Sequence, residues 1–78
     1  MIVEIYGKDN CPYCDMAKNL AVKEGHEMTY KKLGTDFDGL EMFETFPGAR
    51  TFPQIIVDGE KIGGYMDYEK FVKGDTND

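Results

Sequence analysis

Tryptophan is absent from this 78-residue sequence, histidine occurs once and cysteine only twice. Structural zinc as a rule takes four Cys or His ligands. Cys11, Cys14 and His26 make three at most, so no metal is expected. His26 follows a glycine that ends a helix pattern and is expected at the surface. Basic residues are scarce too: nine Lys and Arg against fifteen Asp and Glu leave a formal charge of −6. Nucleic acid and anionic membranes both need a positive footprint, so neither is expected as a partner. Long apolar runs are also missing, and nothing approaches the ~18 consecutive residues of a membrane span. Met1 to Ile5 has neither a basic region nor a small-residue cleavage site. It reads as a strand, not a leader, and the expected location is cytoplasmic.

The length leaves room for one domain over residues 1–78, burying roughly 60–65% of the unfolded surface. A disulfide framework would join distant segments of such a small chain. Here Cys11 and Cys14 are three positions apart. A bond between them closes almost no loop and adds little stability through the unfolded state. Cysteines so placed are there for chemistry.

Ile2-Val3-Glu4-Ile5-Tyr6, bounded by Gly7, reads as a strand. Lys8-Asp9-Asn10 is a polar loop, and Pro12 suits the first position of a helix. Ala17, Leu20 and Ala21 continue that helix until Gly25 caps it. His26 to Leu33 is a second strand, followed by a turn with a capping residue at Gly34-Thr35-Asp36. Leu40, Phe43 and Phe46 stand at helical spacing before Pro47-Gly48, and Phe43, Phe46, Tyr6 and Phe71 read as core. Gln54 to Val57, the hairpin signal Asp58-Gly59, and Lys61 to Gly63 make two antiparallel strands. A helix around Tyr68 to Val72 turns Tyr68, Phe71 and Val72 inward, and the polar tail at 75–78 is expected to fray. The order is β-α-β-α-β-β-α. It predicts an α/β fold with one mixed four-stranded sheet flanked by helices, its first two strands parallel.

Cys11 falls where a loop becomes a helix, and the N–H groups and positive dipole end there favour a thiolate. The thiolate is the nucleophile. Lys8 adds positive potential, whereas Asp9 and Asp15 oppose it. Cys14, one turn further in, is placed to attack a mixed disulfide formed at Cys11 and release the reduced product.

Lys8-X-X-Cys11-Pro12-Tyr13-Cys14, Thr51-Phe52-Pro53, Gly63-Gly64 and Asp67 together resemble the dithiol glutaredoxins across essentially the whole chain. The resemblance implies a thioredoxin-like fold and a glutathione-dependent thiol–disulfide oxidoreductase with Cys11 and Cys14 catalytic. It implies a cis bond before Pro53, with Phe52, where the family usually has Val, offering its backbone to the cysteine part of glutathione beside Thr51. Lys8 would pair with the glycine carboxylate, and Tyr13 would line that side. Gly64, Tyr65, Met66 and Asp67 would take the γ-glutamyl end, by backbone N–H groups and the Asp67 carboxylate. Many members have a polar residue on the second helix where this chain has Leu40-Glu41-Met42, and Arg50 would substitute for that contact. Implied partners are glutathione and disulfide-bearing proteins, with ribonucleotide reductase a client by analogy, and the chain would act as a monomer. Two alternatives stand beside this one. The first is a redoxin reduced by thioredoxin reductase. The second is a carrier of an iron–sulfur cluster ligated with glutathione, a role that Pro12 and Cys14 disfavour.

Overall fold

The computed structural model describes residues 1–74; the tail expected to fray, 75–78, lies outside the described residues. The elements are β1 (Ile2–Gly7), α1 (Pro12–Lys23), β2 (Glu27–Lys32), α2 (Gly39–Thr45), β3 (Gln54–Val57), β4 (Glu60–Gly63) and α3 (Tyr65–Lys73). They form one mixed sheet in the order β2-β1-β3-β4. β1 runs parallel to β2, and β3 runs antiparallel to both β1 and β4. This is the thioredoxin-like arrangement expected from the sequence. No helix among the described residues is long and apolar enough to cross a membrane.

Strand alternation sorts the core into two layers. Val3, Ile5, Ile55 and Val57 point to one face and pack with Ala17, Ala21 and Tyr68 of α1 and α3. Ile56 points to the other, against Phe37, Met42 and Phe46, with Tyr6 beside them. A strand covered on both faces reads as an unbroken apolar run, which is why Ile55-Ile56-Val57 shows no alternation. The hairpin turn uses positive φ at Asp58 (50°) and Gly59 (85°), as a two-residue turn of this hand requires. The Asp58 carboxylate then accepts from the Ile2 N–H at 2.8 Å, fastening the turn to β1.

Four expectations need correction. The cap of α2 is Asp38, not a residue of the Gly34–Asp36 turn; it accepts from Glu41 N–H at 2.9 Å, and Glu41 answers on the Asp38 N–H. Asp36 instead closes its own turn on the Lys32 N–H at 2.8 Å. With α2 starting there, Met42 and Phe46 face inward, while Leu40 (65% exposed) and Phe43 (67%) face solvent. Phe43 is therefore not core. In α3 the inner row is Tyr65, Tyr68 and Val72, leaving Phe71 on the outside. Finally, His26 is half-buried, its Nδ1 2.7 Å from the hydroxyl of the fully buried Tyr68.

Candidate active site

Asn10, at φ 55°, turns the chain out of the β1 loop and presents Cys11 as the cap of α1. Cys11 has extended backbone (φ −129°, ψ 96°), and its Sγ accepts from the Cys14 N–H at 3.2 Å. Pro12 at the first helical position has no N–H of its own, so the sulfur draws on the donor one turn in. A hydrogen bond from a helix N-terminus stabilises the charged thiolate over the neutral thiol. Cys11 and Cys14 are joined as a disulfide, with Cα atoms 5.2 Å apart. Cys14 is completely buried and Cys11 is 9% exposed. Attack from outside therefore falls to Cys11, and Cys14 is reached only by its neighbour.

Both carboxylates expected to oppose the thiolate are engaged. Asp9 pairs with Lys32 at 3.4 Å and Asp15 with Lys18 at 3.5 Å. These are exposed pairs, weak in stability terms. The Lys18 pair lies within α1 at i,i+3, a spacing visible in the sequence. The Lys32 pair depends on the parallel register that sets Gly7 opposite Lys32, which the sequence does not display. Tyr30 is a further residue that sequence reasoning missed. Its ring end occupies the space a Gly7 side chain would fill, and its hydroxyl donates to the Lys8 carbonyl at 3.5 Å. Burial, then the charges of Asp15 and Asp9, push the Tyr30 hydroxyl up from its ordinary value.

A groove of about 330 Å³ is lined by Tyr13, Thr51, Phe52, Pro53, Gly64, Tyr65, Met66 and Asp67. The bond before Pro53 is cis, as the resemblance implies, and Pro53 is fully buried. Gln54 steadies the approach by donating from Nε2 to the Thr51 carbonyl at 2.9 Å. Across the groove, the Tyr13 and Tyr65 rings stand 5.9 Å apart. A Cβ on Gly64 would lie 3.5 Å from the Pro53 carbonyl, so loop and helix start approach closely. Gly64 caps α3, and Asp67 accepts from its N–H at 3.0 Å. Among the described residues, the N–H groups in the first turn of α3 have no acceptor within the helix, and they stand beside one carboxylate.

Eight of the nine residues expected to meet glutathione thus line one groove, and one of them, Tyr13, belongs to the first turn of the helix that Cys11 caps. Lys8 does not line it; its Nζ stands 5.6 Å from the centroid of the Phe52 ring. Arg50 opens onto a neighbouring depression with Lys61 and not onto the groove itself. Among the described residues no three His, Cys, Asp or Glu side chains gather as a metal-binding group.

The glutaredoxin family model matches residues 3–62. The chain belongs to the glutaredoxin family. A glutaredoxin of Haemophilus influenzae is 35% identical to it, over 94% of this chain and 92% of the relative. The structure of oxidised Escherichia coli glutaredoxin superposes over the full length of both chains, with a TM-score of 0.79 and 34% identity. A buckwheat glutaredoxin solved in complex with glutathione matches with a TM-score of 0.75 and 27% identity, over 92% of this chain and 69% of that one. Family and geometry together make this chain a thiol–disulfide oxidoreductase whose redox pair is Cys11 and Cys14.

Proposed function

We propose that this glutaredoxin takes its electrons from glutathione and reduces protein disulfides and glutathione mixed disulfides in the cytoplasm. One observation carries the reading. The groove ends in free N–H donors and a carboxylate side by side, at Met66 and Asp67. That pairing suits a zwitterion: the donors take an α-carboxylate and Asp67 takes the adjacent α-ammonium. The γ-glutamyl end of glutathione has both groups on one carbon. The Phe52 backbone, freed by the neighbouring proline from a competing N–H, would then align the cysteine of glutathione toward Cys11.

The Cys11 thiolate attacks a substrate disulfide; a new Cys11–S bond forms, and the other substrate sulfur leaves as a thiolate and takes a proton. With a glutathionylated substrate, glutathione stays on Cys11 and a second glutathione thiolate attacks its sulfur. Oxidised glutathione departs and the Cys11 thiolate is restored. With a protein disulfide, Cys14 attacks Cys11, releases the reduced protein and closes the Cys11–Cys14 bond. Two glutathiones reopen that bond, each giving up one electron.

Steady-state turnover with glutathione and glutathione reductase tests the reading against thioredoxin reductase as the electron source. Cys11→Ser is expected to lose all activity, since no other thiolate can attack. Cys14→Ser is expected to keep reduction of glutathione mixed disulfides and lose reduction of protein disulfides. Turnover with thioredoxin reductase alone would sink the proposal. The Cys14→Ser protein also stalls at the mixed disulfide, so it captures protein clients for identification.

A further inference from the structure

We infer that the Phe52 ring is a positioning group for Lys8, so that Phe52 serves the site twice, through its backbone in the groove and through its ring beneath a cation. The Lys8 ammonium stands 5.6 Å from the ring centroid, within the ~6 Å over which a cation is drawn to an aromatic face. The ring is itself anchored. Phe52 is half-buried against the layer of Phe37, Met42, Phe46 and Ile56, with its ring centroid 6.5 Å from that of Phe37. The backbone at the other end is tied as well, since the Lys8 carbonyl accepts from Tyr30.

Among the described residues no carboxylate lies within ion-pair distance of the ammonium. Asp9 is engaged by Lys32 and Asp15 by Lys18, and Lys8 makes no ion pair among the described residues. An exposed lysine is otherwise spread over many rotamers. Held over a fixed ring three residues before Cys11, its charge is available to the Cys11 thiolate and to an anionic thiol substrate entering the groove. An aliphatic residue at position 52 would keep the backbone contact and release the lysine.

The test uses reduced wild type, Phe52→Leu, Lys8→Gln and the double variant, each checked for folding by circular dichroism. Two readouts are taken: the pH profile of Cys11 alkylation by iodoacetamide, and KM against kcat for glutathione, the second resting on the glutathione reading above. Phe52→Leu is expected to raise KM about two- to fivefold with kcat little changed, the range of an exposed cation–aromatic contact. It should also move the alkylation profile to higher pH. Lys8→Gln should do at least as much, and adding Phe52→Leu to it should do nothing more. Phe52→Tyr, which keeps a ring face, should restore the coupling to Lys8→Gln. Equal effects of Phe52→Leu with and without Lys8, or no effect in either readout, overturn the proposal. If glutathione is not the reductant, the KM arm is silent even in wild type while the alkylation arm still reports the coupling.

Discussion

Two adjacent glycines at the start of α3 do different work, and substitution separates them. Gly63 has φ 113°, and an added Cβ would run into the Asp67 carboxylate. Gly64 has φ −94°, which any residue adopts, and its Cβ would make only ordinary contact with the Pro53 carbonyl. Gly63→Ala is therefore expected to cost stability, about 1 kcal/mol or more for the strained backbone, and to dislodge Asp67 from its cap. Gly64→Ala should leave the melting temperature nearly unchanged. It should still raise KM for glutathione, because the added methyl group would stand in the wall of the groove that glutathione is proposed to fill. Thermal melts with steady-state kinetics on both variants decide it. A normal KM in Gly64→Ala would show that the ligand does not run along this glycine.

Elements were legible in the sequence where a local signal named them. Pro12 and Gly25 bracket α1, and Asp58-Gly59 marks the hairpin. The cysteine pair, the groove loop and the start of α3 were legible for the same reason. Choices settled by tertiary packing were not. In α2, Leu40-Phe43-Phe46 and Met42-Phe46 are both apolar rows at helical spacing, and only the Asp38 cap and the layer over Ile56 select the second. The contact of His26 with Tyr68 spans 42 residues and has no sequence signature. It joins the residue just before β2 to the middle of α3. Burial, helped by the charge of Glu24, pushes the Tyr68 hydroxyl up to about 12. The folded state thus holds this proton more tightly than the unfolded chain, where tyrosine titrates near ~10. Its contribution is complete below pH ~10 and is lost as pH rises toward 12. Tyr30 and Lys31, also raised, add a decline of the same sign. Urea unfolding at a series of pH values should therefore show stability falling from pH ~10 upward in wild type, and less steeply in Tyr68→Phe. At neutral pH the variant should be about 1 kcal/mol less stable, having lost the bond to His26. Equal slopes in the two proteins would assign the alkaline decline to the other groups.

At the scale of the whole molecule, the charge of −6 surrounds a body with a radius of gyration of 11.9 Å. Lys8, three residues before Cys11 in the sequence, and Arg50 and Lys61, around the depression that shares Thr51 with the groove, are cations set into that acidic surface. Which of the two fields an approaching protein feels depends on salt. At about 0.01 M ionic strength the screening length is ~30 Å, longer than the molecule's radius, and the net charge dominates. At physiological salt it is ~8 Å, and only charges near the contact count. Disulfide-bearing peptides of basic composition should therefore be reduced faster than acidic ones at low salt, by about tenfold in kcat/KM if capture limits the rate. The difference should shrink as salt reaches the physiological range, and should do so through KM, because screening alters encounter and not sulfur chemistry. Matched peptides around one disulfide, assayed across a salt series, provide the measurement. A preference for the acidic peptide at low salt would mean that the local cations outweigh the global charge, and that client selection is set at the rim of the groove.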